Sequence, residues 1–124
     1  MTVSQMAEAL ELTCAVAGDE ARPVRAAYAS DLLSDVMGNA PDEAVLITVQ
    51  AHKNTVAVAV LKDSPAIIIC NDRPLPSDMK EACRAEGIAL FVTQCSQFTV
   101  SGRLYPLLCA ENGADQADAA LSAE

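Results

Sequence analysis

The sequence predicts an α/β domain. Two apolar runs, Val45–Val49 and Ala66–Cys70, have the length and β-branched content of strands buried on both faces. Each stops abruptly at polar residues: Gln50, His52 and Asn54 after the first, Asn71, Asp72 and Arg73 after the second. A third run, Ile88–Thr93, follows a segment with strong helix signals. Buried strands whose C-terminal ends open into polar groups are where open α/β sheets place their sites.

Taken in order, Thr2 and Gln5 form a capping box that opens a short helix through Met6, Ala7 and Leu10. Leu12–Val16 and Val24–Tyr28 read as strands, with a turn at Gly18-Asp19-Glu20 between them. Ser30 or Asp31 can cap a single helical turn, ended by Gly38 or Asn39 in a left-handed conformation. Thr55–Leu61 stays open from its residues alone. Val56, Val58 and Val60 alternate with Ala57 and Ala59 as in a hairpin strand, yet both faces are apolar, and Asn54 could equally cap a helix. Further on, Ser77 caps a helix that starts at Asp78, carries Met79, Ala82 and Cys83 on one face and stops at Gly87. Ser96 caps a last helix through Val100, Leu104 and Leu108, strained or ended near Pro106.

At 124 residues the chain is expected to form one domain over residues 1–110, with residues 111–124 an acidic, disordered tail. Its net charge of −9, from 17 acidic and 8 basic residues, argues against a nucleic-acid partner. No uncharged apolar run approaches the length of a membrane span, and the N-terminus lacks a signal-peptide pattern, so the cytoplasm is the expected compartment. Five cysteines with no C-x-x-C spacing read as reduced thiols.

The blocks Tyr28-Ala-Ser-Asp-Leu-Leu-Ser-Asp-Val-Met-Gly-Asn-Ala, Leu46-Ile-Thr-Val-Gln-Ala-His-Lys-Asn, Ala66-Ile-Ile-Ile-Cys and Gly102-Arg-Leu-Tyr resemble the stand-alone DRTGG-domain proteins. The resemblance runs from Thr2 to Leu108. It implies a three-layer α/β/α sandwich with a mostly parallel or mixed sheet, similar to the N-terminal domain of HPr kinase/phosphorylase. It also makes Thr55–Leu61 a crossover helix. Related domains help form dimers in regulatory pyrophosphatases, and some stand-alone relatives accompany hydrogenase or electron-transfer genes. Where the family has Asp-Arg this chain has His52-Lys53 or their neighbours, and where it has Thr-Gly-Gly, Cys70-Asn71-Asp72. None of the five glycines precedes Lys-Ser/Thr, so no P-loop supports a kinase activity.

The expected function is therefore a non-catalytic regulatory domain that binds a small anion, such as a nucleotide, or docks a protein partner. The alternatives are a purely structural dimerisation module and a small enzyme using His52. If the buried strands are parallel, Gln50, His52, Lys53, Asn54, Asn71, Arg73, Thr93 and Ser96 emerge at one edge as the ligand-binding set. Helix N-termini near Asn54, Ser77 and Ser96 would add positive dipole ends there. His52, the only histidine, lacks a partner at nucleophile or metal spacing and is better read as structural. Asp31 and Asp35 would share a helix face, but caps explain them better than a metal. No cofactor is expected. A homodimer is, through Ser30–Met37 and Thr55–Leu61: the family resemblance implies it, and a small domain with 52% hydrophobic residues has little interior in which to bury them.

Overall fold

The computed structural model describes residues 1–112. The chain runs α1 (Val3–Ala9), β1 (Thr13–Val16), β2 (Ala27–Ala29), α2 (Leu33–Asn39), β3 (Val45–Thr48), α3 (Lys53–Leu61), β4 (Ala66–Ile69), α4 (Ser77–Glu86), β5 (Ala89–Val92) and α5 (Gln97–Asn112). The strands form one mixed sheet in the order β1-β5-β4-β3-β2. β2 to β5 are parallel, and β1 closes the far edge antiparallel to β5.

Each step from β2 to β5 moves one strand over in the same direction. Right-handed crossovers therefore put α2, α3 and α4 on one face of the sheet, leaving the other to α1 and α5. Side-chain alternation divides the core accordingly. Val45, Ile47, Ile68 and Phe91 pack with Val3 and Met6 of α1 and Leu104 and Leu108 of α5. Leu46, Ile67, Ile69 and Leu90 meet Val36, Val56, Ala59, Met79 and Cys83 of the three crossover helices. Covering both faces explains why β3 and β4 read as unbroken apolar runs.

Several local expectations hold. Both arms of the Thr2–Gln5 capping box are present, at 2.9 and 3.2 Å. Gly87 ends α4 with φ 69°, a left-handed conformation that glycine adopts without steric cost. Gly18 is required for a different reason: a Cβ there would lie 2.4 Å from the Ala89 nitrogen and 2.9 Å from the Gly87 oxygen. Lys53–Leu61 is helical, as the family resemblance implies.

Elsewhere tertiary partners override local signals. The second strand covers only Ala27–Ala29; Val24 is buried but donates its N–H to the Met1 carbonyl, outside the sheet. α2 is a seven-residue helix, longer than the single turn expected, and Leu32 at its N-cap makes no side-chain capping bond. Ser30 Oγ accepts from the Leu32 N–H, while Asp31 is drawn away to the sheet edge. The helix ends at Ala40 with φ −66° and ψ 137° instead of a left-handed Gly38 or Asn39. Pro41 explains this, since the residue before proline is pushed to extended geometry. His52, not Asn54, caps α3, and α4 begins at Ser77 with Pro76 as its cap. α5 continues through Pro106, held to the sheet by buried Leu104 and Leu108 on either side. It includes Glu111, which contacts the Met1 amino group, and Asn112, whose amide donates to the Arg25 carbonyl at 2.9 Å. The rest of the expected acidic tail, residues 113–124, lies outside the described residues.

Candidate functional site at the strand ends

Because β2, β3, β4 and β5 are parallel, the segments that follow them emerge along one edge of the sheet. Asp31 organises the β2 and β3 side. Its Oδ1 accepts from the Thr48 hydroxyl at 2.9 Å, the Val49 N–H at 2.9 Å and the Gln97 amide at 3.0 Å. Its Oδ2 accepts from the same Gln97 nitrogen at 2.9 Å. Partial desolvation works against the charge of Asp31. The donors Val49, Gln97 and Thr48, together with the Arg73 guanidinium, outweigh it and hold the carboxyl below its ordinary value.

Gln50 joins the same network: its amide donates to the Asp31 carbonyl at 3.0 Å, and its N–H donates to Thr48 Oγ1 at 3.1 Å. Its own carbonyl accepts from the buried Thr55 hydroxyl at 2.8 Å, which ties the β3 end to the first turn of α3. His52 faces solvent, with Nδ1 accepting the Asn54 N–H at 3.0 Å. With that nitrogen His52 serves as the N-cap of α3.

On the β4 and β5 side, Asn71 and Asp72 both take left-handed backbone angles, φ 62° and 51°. The turn lets the Asn71 N–H reach the Cys95 carbonyl at 3.0 Å and the Asp72 N–H reach the Thr93 carbonyl at 2.9 Å. Thr93 Oγ1 accepts from the Cys95 N–H at 3.2 Å, and Ser96 Oγ caps α5 by accepting from the Thr99 N–H at 3.2 Å. Cys70, fully buried at the end of β4, has its thiol pushed up to about 11 by burial, with smaller contributions from Cys95 and Asp31.

Of the eight expected ligand residues His52 caps α3, and the other seven divide. Gln50, Asn71, Thr93 and Ser96 are hydrogen-bonded into the edge, and the Arg73 charge reaches Asp31. Lys53 and Asn54 line a groove of about 340 Å³ between α3 and α4, with Val56, Ala57, Val60, Ala82 and Glu86. Asp31 and Asp35 do not share a helix face: Asp31 precedes α2, whereas Asp35 accepts from Tyr28 at 2.9 Å and Asn39 at 2.8 Å. Among the described residues no group of three or more His, Cys, Asp or Glu is arranged to hold a metal ion. None of their helices is long and apolar enough to cross a membrane.

Asp31, Thr48 and Gln97 were not in the expected set. One signal bears on Thr48, a hydroxyl inside the apolar run Val45–Val49. Thr48 ends a buried strand at 2% exposure, and a buried hydroxyl requires a partner.

No protein-family model matches the chain. A stretch of 43 residues, 35% of the chain, is 42% identical to HPr kinase/phosphorylase of Streptococcus uberis, and it covers 14% of that protein. Among solved structures the chain is similar to the CBS and DRTGG domains of the regulatory region of Clostridium perfringens pyrophosphatase, a structure complexed with its activator diadenosine tetraphosphate. The TM-score is 0.69 at 11% identity, over 83% of this chain and 45% of that one. The match spans less than half the length of either relative. The fold is that of a DRTGG-like α/β domain.

Proposed function

We propose that the chain is a regulatory domain without catalysis of its own, which binds a small anion of the nucleotide class at the strand-end edge. The observation that carries this reading is the meeting of four parallel strand ends with the starts of α3 and α5, neither of which has an acidic residue in its first turn. Their positive dipole ends lie at this edge with Lys53 and Arg73. The Asp31 carboxylate, held there by Gln97 at the start of α5, already shows that the edge accommodates negative charge. The nucleotide activator of the structurally similar pyrophosphatase region supports the same ligand class. The net charge of −9 opposes an anion at long range, so affinity has to come from short-range donors. The proposed location is the cytoplasm.

The test is a thermal-shift panel of mononucleotides, diadenosine polyphosphates and phosphorylated metabolites on the wild type, Lys53→Ala and Arg73→Ala. Ligand at a hundred times its dissociation constant should add about 2.7 kcal/mol, several degrees in Tm. A broad panel that moves nothing sinks the ligand reading. Binding untouched by either substitution places the ligand elsewhere.

A second reading, the structural homodimer, is favoured by one specific feature. α3 is apolar on every side yet leaves Val60 and Leu61 exposed, at 41% and 70%, and Leu32 and Met37 of the neighbouring Ser30–Met37 block are exposed as well. A helix apolar all round normally sits inside a larger core. Light scattering at micromolar concentration should give a dimer mass that Leu61→Glu converts to monomer; a wild-type monomer ends this reading. A protein partner on the same face is the outcome left if neither ligand nor dimer is found.

A further inference from the structure

Two of the five thiols lie on the same side of the sheet at the strand-end edge. Cys70 is buried at the end of β4, and Cys95, half-buried in the loop before α5, packs against the same core cluster. The Asn71 N–H to Cys95 carbonyl bond of 3.0 Å joins the residue after one cysteine to the other cysteine itself. Standard bond lengths then keep the two Cα atoms within about 8 Å of each other. The span of about 4.4–6.8 Å that a disulfide needs falls within that bound. The remaining cysteines are placed differently: Cys83 is buried in the cluster on the opposite face, Cys14 is exposed on β1 and Cys109 lies far along α5.

We propose that Cys70 and Cys95 form an oxidisable dithiol, a modification site at which a peroxide converts the pair to an intramolecular disulfide. The first step belongs to Cys95, the more accessible sulfur. Its thiolate attacks the peroxide; an S–O bond forms, the O–O bond breaks, and hydroxide leaves to become water. The Cys70 thiolate then attacks the Cys95 sulfenic sulfur. The S–S bond forms, the S–O bond breaks, and a second water leaves. Two electrons pass from the two thiols to one peroxide. Because the buried Cys70 thiol is raised to about 11, the second step is slow at neutral pH and quickens about tenfold per unit as pH rises toward that value. The bridge would tie the end of β4 to the loop that leads through Ser96 into α5. It stands independently of the ligand reading.

Trypsin leaves the 5 cysteines in separate peptides, so a map without reductant identifies the pair directly. Purified full-length protein is treated with hydrogen peroxide, alkylated and digested. The expected product joins the Cys70 and Cys95 peptides, is two hydrogens lighter than their sum, disappears with dithiothreitol and forms faster at pH 9 than at pH 7. Cys95→Ser, at a half-buried position, should abolish it, and Cys70→Ala should leave a Cys95 sulfenic acid that dimedone traps. Should Cys70→Ala not fold, the wild-type map and Cys95→Ser decide alone. Cys95 sulfinic acid without a cross-link, a bridge to any other cysteine, or five unchanged thiols would each overturn the proposal.

Discussion

Gln97, the first residue of α5, donates its side-chain amide to both carboxylate oxygens of Asp31, at 3.0 and 2.9 Å. This one contact fastens the helix of one layer to the loop that leads into the opposite layer. It crosses the sheet edge where β3 ends, with Thr48 and Val49 completing the coordination of the carboxylate.

Asp31→Ala should therefore cost more than Gln97→Ala. Removing the carboxylate leaves the buried Thr48 hydroxyl and the Val49 N–H without their acceptor, a loss of about 1–3 kcal/mol. Removing Gln97 leaves Asp31 with two protein donors, and the cost should be about 0.5–1.5 kcal/mol. Urea denaturation of both single variants and the double variant checks this. Strictly additive losses would show that the Asp31–Gln97 contact contributes nothing of its own.

Acid should weaken the fold through the same carboxylate. Desolvation opposes the charge of Asp31, but its hydrogen bonds and Arg73 prevail, and Asp35 is likewise lowered by Asn39, Ser30 and Tyr28. Groups depressed in the folded state contribute stability that is present above roughly pH 4 and is lost as pH falls through the folded values. Denaturation midpoints between pH 6 and 2.5 should drop less steeply for Asp31→Asn than for the wild type.

At high pH the sign is reversed. Burial raises the Cys83 thiol to about 11, and burial, then Cys95 and Asp31, raise Cys70 to about 11. These thiols stay protonated in the fold after they would ionise in the unfolded chain. Their contribution is complete below about pH 8.5 and is lost toward the raised values, at roughly 1.4 kcal/mol per pH unit for each thiol. Cys83→Ala should flatten stability between pH 9 and 10.5 when measured under reducing conditions.

Two glycines should respond oppositely to alanine. At Gly18 the new Cβ meets backbone of the β5 approach at 2.4 Å, so Gly18→Ala should cost about 1–3 kcal/mol or more. At Gly38, inside α2, it meets nothing within 4 Å, so Gly38→Ala should gain about 0.5–1 kcal/mol in thermal or urea denaturation.

The parts of the fold readable in the sequence are those decided by neighbours along the chain. The Thr2–Gln5 box and the Gly87 stop each involve a few consecutive residues. The β3 and β4 cores were legible because burial on both faces leaves unbroken apolar runs. Thr55–Leu61 was ambiguous for a physical reason: a segment apolar on every side fits helix and strand equally, and its topological place between parallel strands decides the matter. Asp31 shows the opposite difficulty. Ser-Asp before a leucine pair reads as a helix cap, and nothing nearby reveals that its carboxylate is claimed by Thr48 and Gln97. Of the candidate site, the strand-end residues were legible as polar stops, whereas their division between an internal network and the α3–α4 groove depends on side-chain directions no periodicity reports.

The antiparallel strand at the sheet edge bears on how the molecule is assembled. Among the described residues β1 is the first strand, yet its strand partner is β5, the last of them. The run from β2 to β5 can build outward one crossover at a time as the ribosome delivers it, since each new strand docks beside the one before. Thr13–Val16 has to wait, its N–H and C=O groups unmatched, until Ala89–Val92 has been synthesised. Pairing of such long sequence separation closes late and slowly. On a nascent chain halted before Ala89, this stretch would be an open strand available to a chaperone or to another chain.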